Sequence, residues 1–256
     1  MTASFCWCIM LLRRINHLEG TMYLGICIAF IVCGALTLVV YLLEKVKRYS
    51  VRAVLIKTVV SSFFLSLAIF CSYVNQGHAI NTFVTFGLIL GLLGDIWLDL
   101  KYVYPKDDKV YTYAGFLCFG VGHIMFVIGM LLQYFRDAHF LYILIPIVGA
   151  LIASLINLIL EKPMKLNFGE MRLTVCIYAF CLFMTPFTAL SLAILTGWSK
   201  PTLVMIFVGG ILFAISDLVL SGTYFGEGKE RPIDLILNYL TYYGAQFVIA
   251  FSLFFF

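Results

Sequence analysis

Eight long apolar stretches, separated by short polar breaks, run along this chain of 256 residues. A helix that crosses the hydrocarbon core needs roughly 20 mostly apolar residues. In lipid it must also pair every backbone N–H and C=O within itself. The stretches at 22–43, 54–73, 80–100, 111–132, 140–160, 173–195, 201–221 and 235–256 meet that length and predict transmembrane helices. Composition closes off the alternative. With 63% hydrophobic and 12% charged residues, a soluble domain of this length would lack the polar groups to cover its surface. The expected fold is an all-α integral membrane protein, a bundle of about eight transmembrane helices.

The expected organisation is one transmembrane domain over 22–256, preceded by a leader at 1–21. Within the leader, residues 5–12 are apolar but too short to span, and Arg13 and Arg14 follow them. A cleaved signal peptide has its basic residues first, so the leader does not read as one; Met22 is an alternative start. Most connections are short, so consecutive helices are expected to be antiparallel neighbours.

The formal net charge of +4 is small, and no basic run interleaved with aromatics suggests nucleic-acid binding. The charges instead carry topology. Lys45, Lys47, Arg48, Arg52, Lys57, Lys101, Lys106, Lys109, Lys162, Lys165, Arg172, Lys229 and Arg231 fall at one set of helix ends, against Arg13, Arg14, Arg136 and Lys200 at the other. The basic set is expected to face the cytoplasm, which places both termini on the opposite side. Whether the membrane is a bacterial plasma membrane or an endoplasmic reticulum stays open. Cys27, Cys33, Cys71, Cys118, Cys176 and Cys181 lie in apolar stretches, Cys6 and Cys8 in the leader, and none has C-x-x-C spacing. They read as small packing residues.

The third and seventh stretches resemble each other. Aligning Asp95 with Asp217 also aligns Gly87 with Gly209, Ile89 with Ile211, Leu90 with Leu212 and Leu98 with Leu220. A four-plus-four parallel repeat would produce this pattern.

Ionisable side chains inside a span cost about 2.5–3.5 kcal/mol on insertion scales and mark functional sites by default. Here they are Lys57, Asp95, Asp99, His123 and Asp217, joined by a polar stripe of Asn238, Tyr242 and Gln246 with Tyr243 beside it. At about 1.5 Å rise per residue, Asp95, Asp217 and Lys57 lie roughly 8, 9 and 10 Å from mid-span on the basic side. Converging faces would make a polar cavity opening toward the cytoplasm. Asp99, one turn beyond Asp95, reads as a solvated helix end or an accessory carboxylate, and Ser216 accompanies Asp217. Structural readings stand beside these: Asp217 as a buried partner of Lys57, His123 as a hydrogen-bonded core residue, the polar stripe as helix glue and Gly87 with Gly91 as a packing face.

Several chemistries are excluded. Only His123 among the four histidines is within a span, so a three-histidine zinc site fails. No G-x-S-x-G elbow, Walker A loop or dinucleotide fingerprint occurs. Carboxylates, a histidine and a lysine remain, a set suited to acid–base work with neither metal nor cofactor.

At these residues the chain resembles the YhhN-like lysoplasmalogenase family of multi-pass membrane proteins. The likeness rests on Lys57, on Gly94–Asp95 with Leu98, on Phe119–Gly120 through Gly122–His123, and on Tyr178. It continues with Phe213 through Ser216–Asp217 and with Tyr242–Tyr243 and Ala245–Gln246, from about residue 22 to the end. The sequence departs from the pattern at Thr58, where the family often has proline, and in the leader. The resemblance implies hydrolysis of the vinyl ether bond of a lysoplasmalogen, giving a fatty aldehyde and a glycerophospho head group. The substrate partner would be a lysophospholipid or ether lipid drawn from the membrane.

That reaction needs an acid protonated near neutral pH and a base for water, roles that two carboxyls in unlike environments can divide. The expected acid and base are Asp95 and Asp217, in either order. Lys57 is expected to hold the lipid phosphate, and His123, Tyr178, Tyr242, Tyr243 and Gln246 to position water or substrate. An ion-coupled transporter and a structural or sensor protein are the rival expectations. Head group, chain length and oligomeric state are left open.

Overall fold

The computed structural model describes the backbone of residues 2–47, 50–135, 139–226 and 231–256, and the side chains in those ranges other than 2–18 and 46–47. The side chains of Cys6, Cys8, Arg13, Arg14, His17 and Lys47, and Arg48, Arg136 and Lys229 altogether, lie outside the described residues.

Among the described residues eight long helices follow one another: α1 (Thr2–Lys47), α2 (Val51–Val74), α3 (Ala79–Val103), α4 (Asp108–Tyr134), α5 (Leu141–Leu160), α6 (Arg172–Leu195), α7 (Pro201–Phe225) and α8 (Pro232–Ser252). Each overlaps one of the predicted stretches; α5 begins one residue later than predicted, and α8 ends at Ser252, four residues short of the predicted end. Their starts have local causes. The Ser50 side chain accepts from the Ala53 N–H at 3.3 Å and caps α2. Pro201 and Pro232 open α7 and α8, where a missing N–H costs nothing.

Helices α1 to α7 are long and apolar enough to cross a bilayer, and their outward faces are lined by exposed Leu, Ile and Val. The protein is an integral multi-pass membrane protein. Helix α8 has a different composition, because it carries Asn238, Tyr239, Thr241, Tyr242, Tyr243 and Gln246. It packs on α7, α2, α3 and α1, and most of those polar groups are buried against protein rather than exposed to lipid.

The packing plan is the same in both halves of the chain. In the first, α1 packs on α2, α2 on α3 and α3 on α4; in the second, α5 packs on α6, α6 on α7 and α7 on α8. The contacts between halves correspond too, α4 on α6 and α8 on α2. Equivalent glycines permit equivalent close approaches. A Cβ at Gly87 would lie 2.8 Å from the carbonyl oxygen of Gly122, and one at Gly209 would lie 2.6 Å from Ile249 Cγ1 and 3.2 Å from the carbonyl of Ala245.

At the basic end, the segment between α5 and α6 is stitched to the end of α7. Leu166 pairs with Gly226 as an isolated bridge, the Asn167 N–H donates to the Phe225 carbonyl at 2.8 Å, and Phe168 packs edge-on against Phe225.

Candidate functional site

The costly side chains converge. Lys57, Asp95, Asp99, His123 and Gln246 are only 1 to 4% exposed, and two groups of polar residues face one cavity of about 410 Å³. The first group centres on Asp95 of α3. Its Oδ1 meets Lys57 Nζ of α2 at 3.1 Å. Its Oδ2 accepts from Ser61 at 2.5 Å and from Tyr242 at 2.8 Å. Gln246 in turn donates to the Tyr242 hydroxyl at 2.9 Å, and Tyr243 lies 3.2 Å from Ser61. A Cβ at Gly91 would lie 2.8 Å from Gln246 Nε2, so the amide would have to move to admit one.

Asp99 is no solvated helix end. It is 2% exposed and takes Lys45 at 2.9 Å, Lys57 at 3.4 Å and the Tyr41 hydroxyl at 2.9 Å. Tyr41 also lies 2.8 Å from the Tyr239 hydroxyl. The expectation of a solvated end treated one turn of helix as enough to reach water; α1 lies over that turn and supplies a cation. Lys45, counted by sequence among the loop charges, is 4% exposed for the same reason. The two aspartates and two lysines therefore balance within the protein, as burial of charge requires.

The second group centres on Asp217 of α7. The Tyr178 hydroxyl of α6 donates to its Oδ2. Among the described residues no basic side chain pairs with it, so the expected alternative of an Asp217–Lys57 pair is not what forms. Ser216 and Asn238 tie α7 to α8 instead: Asn238 Nδ2 donates to the Ser216 carbonyl and hydroxyl oxygens, both at 2.9 Å.

The two groups occupy equivalent places. Asp95 and Asp217 are each the seventeenth residue of a 25-residue helix, and Lys57 and Tyr178 are each the seventh of a 24-residue helix. Lys57 lies over the Tyr239 ring at 5.3 Å, and Tyr178 stacks on Phe116 at 5.1 Å. One station carries an ion pair, the other a carboxyl and a phenol.

Of the residues singled out by sequence, Lys57, Asp95, Tyr178, Ser216, Asp217, Asn238 and Tyr242 line the cavity, whereas Asp99, His123, Tyr243 and Gln246 do not. His123 sits behind the wall, its Nδ1 2.9 Å from Thr185 Oγ1 and its ring against Phe213 at 4.7 Å. Its Nε2 and the Gln246 Oε1 are buried without a partner among the described residues. Sequence reading missed Ser61, Tyr41, Lys45 and Tyr239. Ser61 is one turn after Lys57, and Tyr41 and Lys45 are one turn apart, so helical spacing was the available signal.

A family model described as YhhN matches residues 52–253. The chain belongs to the YhhN family. The match begins after α1 rather than near residue 22, so Tyr41 and Lys45 lie outside it while both carboxylate stations lie inside. No curated protein and no solved structure matches the chain.

Proposed function

We propose that this protein is a membrane-embedded hydrolase that cleaves the vinyl ether bond of lysoplasmalogens. The observation that carries the reading is the inequality of two equivalent carboxyls on one cavity. Asp95 faces an ammonium and two hydroxyl donors, which suits it to be the carboxylate that accepts a proton from water. Asp217 meets only a phenol, on Oδ2, and its Oδ1 is left to carry a proton for transfer. Lys57 balances Asp95 rather than standing free for a phosphate. Membership of the YhhN family supports the assignment, and the mainly aliphatic and aromatic wall around the polar groups suits a hydrocarbon chain.

The proposed steps conserve atoms and charge. Asp217 transfers its proton to the β-carbon of the vinyl ether. The double-bond electrons form the new C–H bond, leaving an oxocarbenium ion and the Asp217 carboxylate. Water adds to the α-carbon and gives a proton to Asp95, producing a hemiacetal. The hemiacetal hydroxyl returns a proton to Asp217, and Asp95 protonates the departing glycerol oxygen as the C–O bond breaks. One water is consumed, and a fatty aldehyde and a glycerophospho head group leave.

Purified protein given lysoplasmenyl-ethanolamine and lysoplasmenyl-choline should release aldehyde. Asp217→Asn and Asp95→Asn should each lower the rate by about 10²–10⁴-fold, the usual worth of general acid–base catalysis. Full activity in both variants would reject the assignment. Repeat-related aspartates also suit a proton-coupled carrier, which predicts accumulation of unchanged substrate in vesicles.

A further inference from the structure

The cavity lies between the two halves, most of its lining comes from α5 to α8, and its walls reach the lipid-facing surface there. Ile156 of α5 and Ile215 and Leu218 of α7 line it and are also 48, 42 and 45% exposed on the outer face. Between α5 and α7 there is no close backbone packing; α5 packs on α6, and residues of α6 line the cavity between them. At the basic end Leu160, Tyr224 and Phe225 bound the cavity, and Phe225 is tied to the segment around Phe168. The sequence expectation of an opening toward the cytoplasm came from depth alone, which does not distinguish an opening at the end of the bundle from one at its side.

The first half has the same gap and closes it. Helices α1 and α3 also lack close backbone packing, but Tyr41 and Lys45 reach across to Asp99. The position corresponding to Asp99 on α7 is Ser221, which bonds back to the Asp217 carbonyl at 2.8 Å and reaches no described residue of α5. One polar side chain of α5 lines the open gap. Asn157 is half-buried, and its amide makes no hydrogen bond to a described residue. An amide facing hydrocarbon without a partner is costly, so the site favours an occupant with a polar group at that level and an apolar chain beyond it.

We propose that the gap between α5 and α7 is a lateral doorway through which the single chain of a membrane lysolipid slides into the cavity, with Asn157 meeting the polar part of that lipid. Entry stands on the geometry of the gap; only the chemistry after entry rests on the hydrolase reading. The occupant is a lipid of the surrounding bilayer because the opening faces the bilayer and is walled by aliphatic side chains.

The test uses the full chain in lipid nanodiscs with a lysophosphatidylcholine bearing a diazirine on its acyl chain. After irradiation, adducts are mapped by mass spectrometry. Labelling of Ala179 and Leu182, which are buried at 4 and 3% exposure and line the cavity, reports entry. The double variant Ile156→Trp, Ile215→Trp should lower that labelling by at least about tenfold, equivalent to a loss of about 1.4 kcal/mol in occupancy. The opposite variant, Ile156→Ala with Ile215→Ala, should raise it, and Asn157→Leu should weaken it. Cavity labelling unchanged by narrowing and by widening would overturn the doorway, as would its absence in the parent protein. Aldehyde release, measured in parallel, separates the two ideas. Doorway-dependent labelling without aldehyde from the parent protein would retain the doorway and reject the hydrolase; aldehyde with doorway-independent labelling would do the reverse.

Discussion

At the scale of single residues, the decisive fact is how each buried charge is matched. Lys57 Nζ lies between Asp95 and Asp99, at 3.1 and 3.4 Å. Removing one partner of a buried ion pair leaves the other uncompensated and costs about 3–5 kcal/mol. Lys57→Met should therefore lower thermal stability strongly, and adding Asp95→Asn should recover part of the loss. A double-mutant cycle on unfolding in detergent measures the coupling; additive losses would show that the pair is not coupled. Tyr178 offers a complementary test. Its hydroxyl donates to Asp217, a bond to a charged or acidic group worth about 1.5–3 kcal/mol. Tyr178→Phe is expected to slow aldehyde release by roughly tenfold or more at that magnitude, and to lower stability by no more than the value of that bond because the Phe116 stack is kept. A loss of stability with unchanged turnover would make Tyr178 a structural residue only.

At the scale of elements, helix pairs α3/α4 and α7/α8 are held close by small residues. Gly87 faces the Gly122 backbone and Gly209 faces Ala245 and Ile249. In a bilayer no hydrophobic drive pushes helices together, so close packing of this kind carries much of their association. Gly87→Val and Gly209→Val should each destabilise by about 1–3 kcal/mol through overpacking. Thermal unfolding monitored by circular dichroism checks this. The two losses should be similar, because the positions are equivalent; a change at one site only would count against the shared packing plan. Helix α1 is the element that breaks the equivalence, since Tyr41 and Lys45 seal one gap that α5 leaves open.

At the scale of the whole molecule, two similar halves enclose one cavity, and the basic loops gather at one end. Those loops are expected in the cytoplasm. A cysteine placed at Lys106 should therefore resist a membrane-impermeant thiol reagent in intact cells, whereas one at Gln76 should react. Native cysteines complicate the background little inside the bundle, where Cys27 and Cys71 are buried, but Cys6 and Cys8 should be replaced first. The reverse labelling pattern would invert the bundle without altering its internal geometry.

What the sequence determined by itself comes from the solvent. Apolar stretches of spanning length leave the backbone no choice but helix in lipid, and the eight observed helices overlap the predicted stretches, seven of them long and apolar enough to cross a bilayer. The cost of intramembrane charge likewise picked out Lys57, Asp95 and Asp217 before any fold was known. The tertiary structure alone decided how those charges pair. Asp99 was misread because its cations come from α1 and α2, 54 and 42 residues away, and helical spacing is blind to such distances. His123 and Gln246 are buried but face protein rather than the cavity, since position in a helix does not set which neighbours a side chain meets. The gap between α5 and α7 was equally hidden. It depends on α5 standing apart from α7 where α1 is bridged to α3, a difference of inter-helix contact that no single stretch of sequence contains.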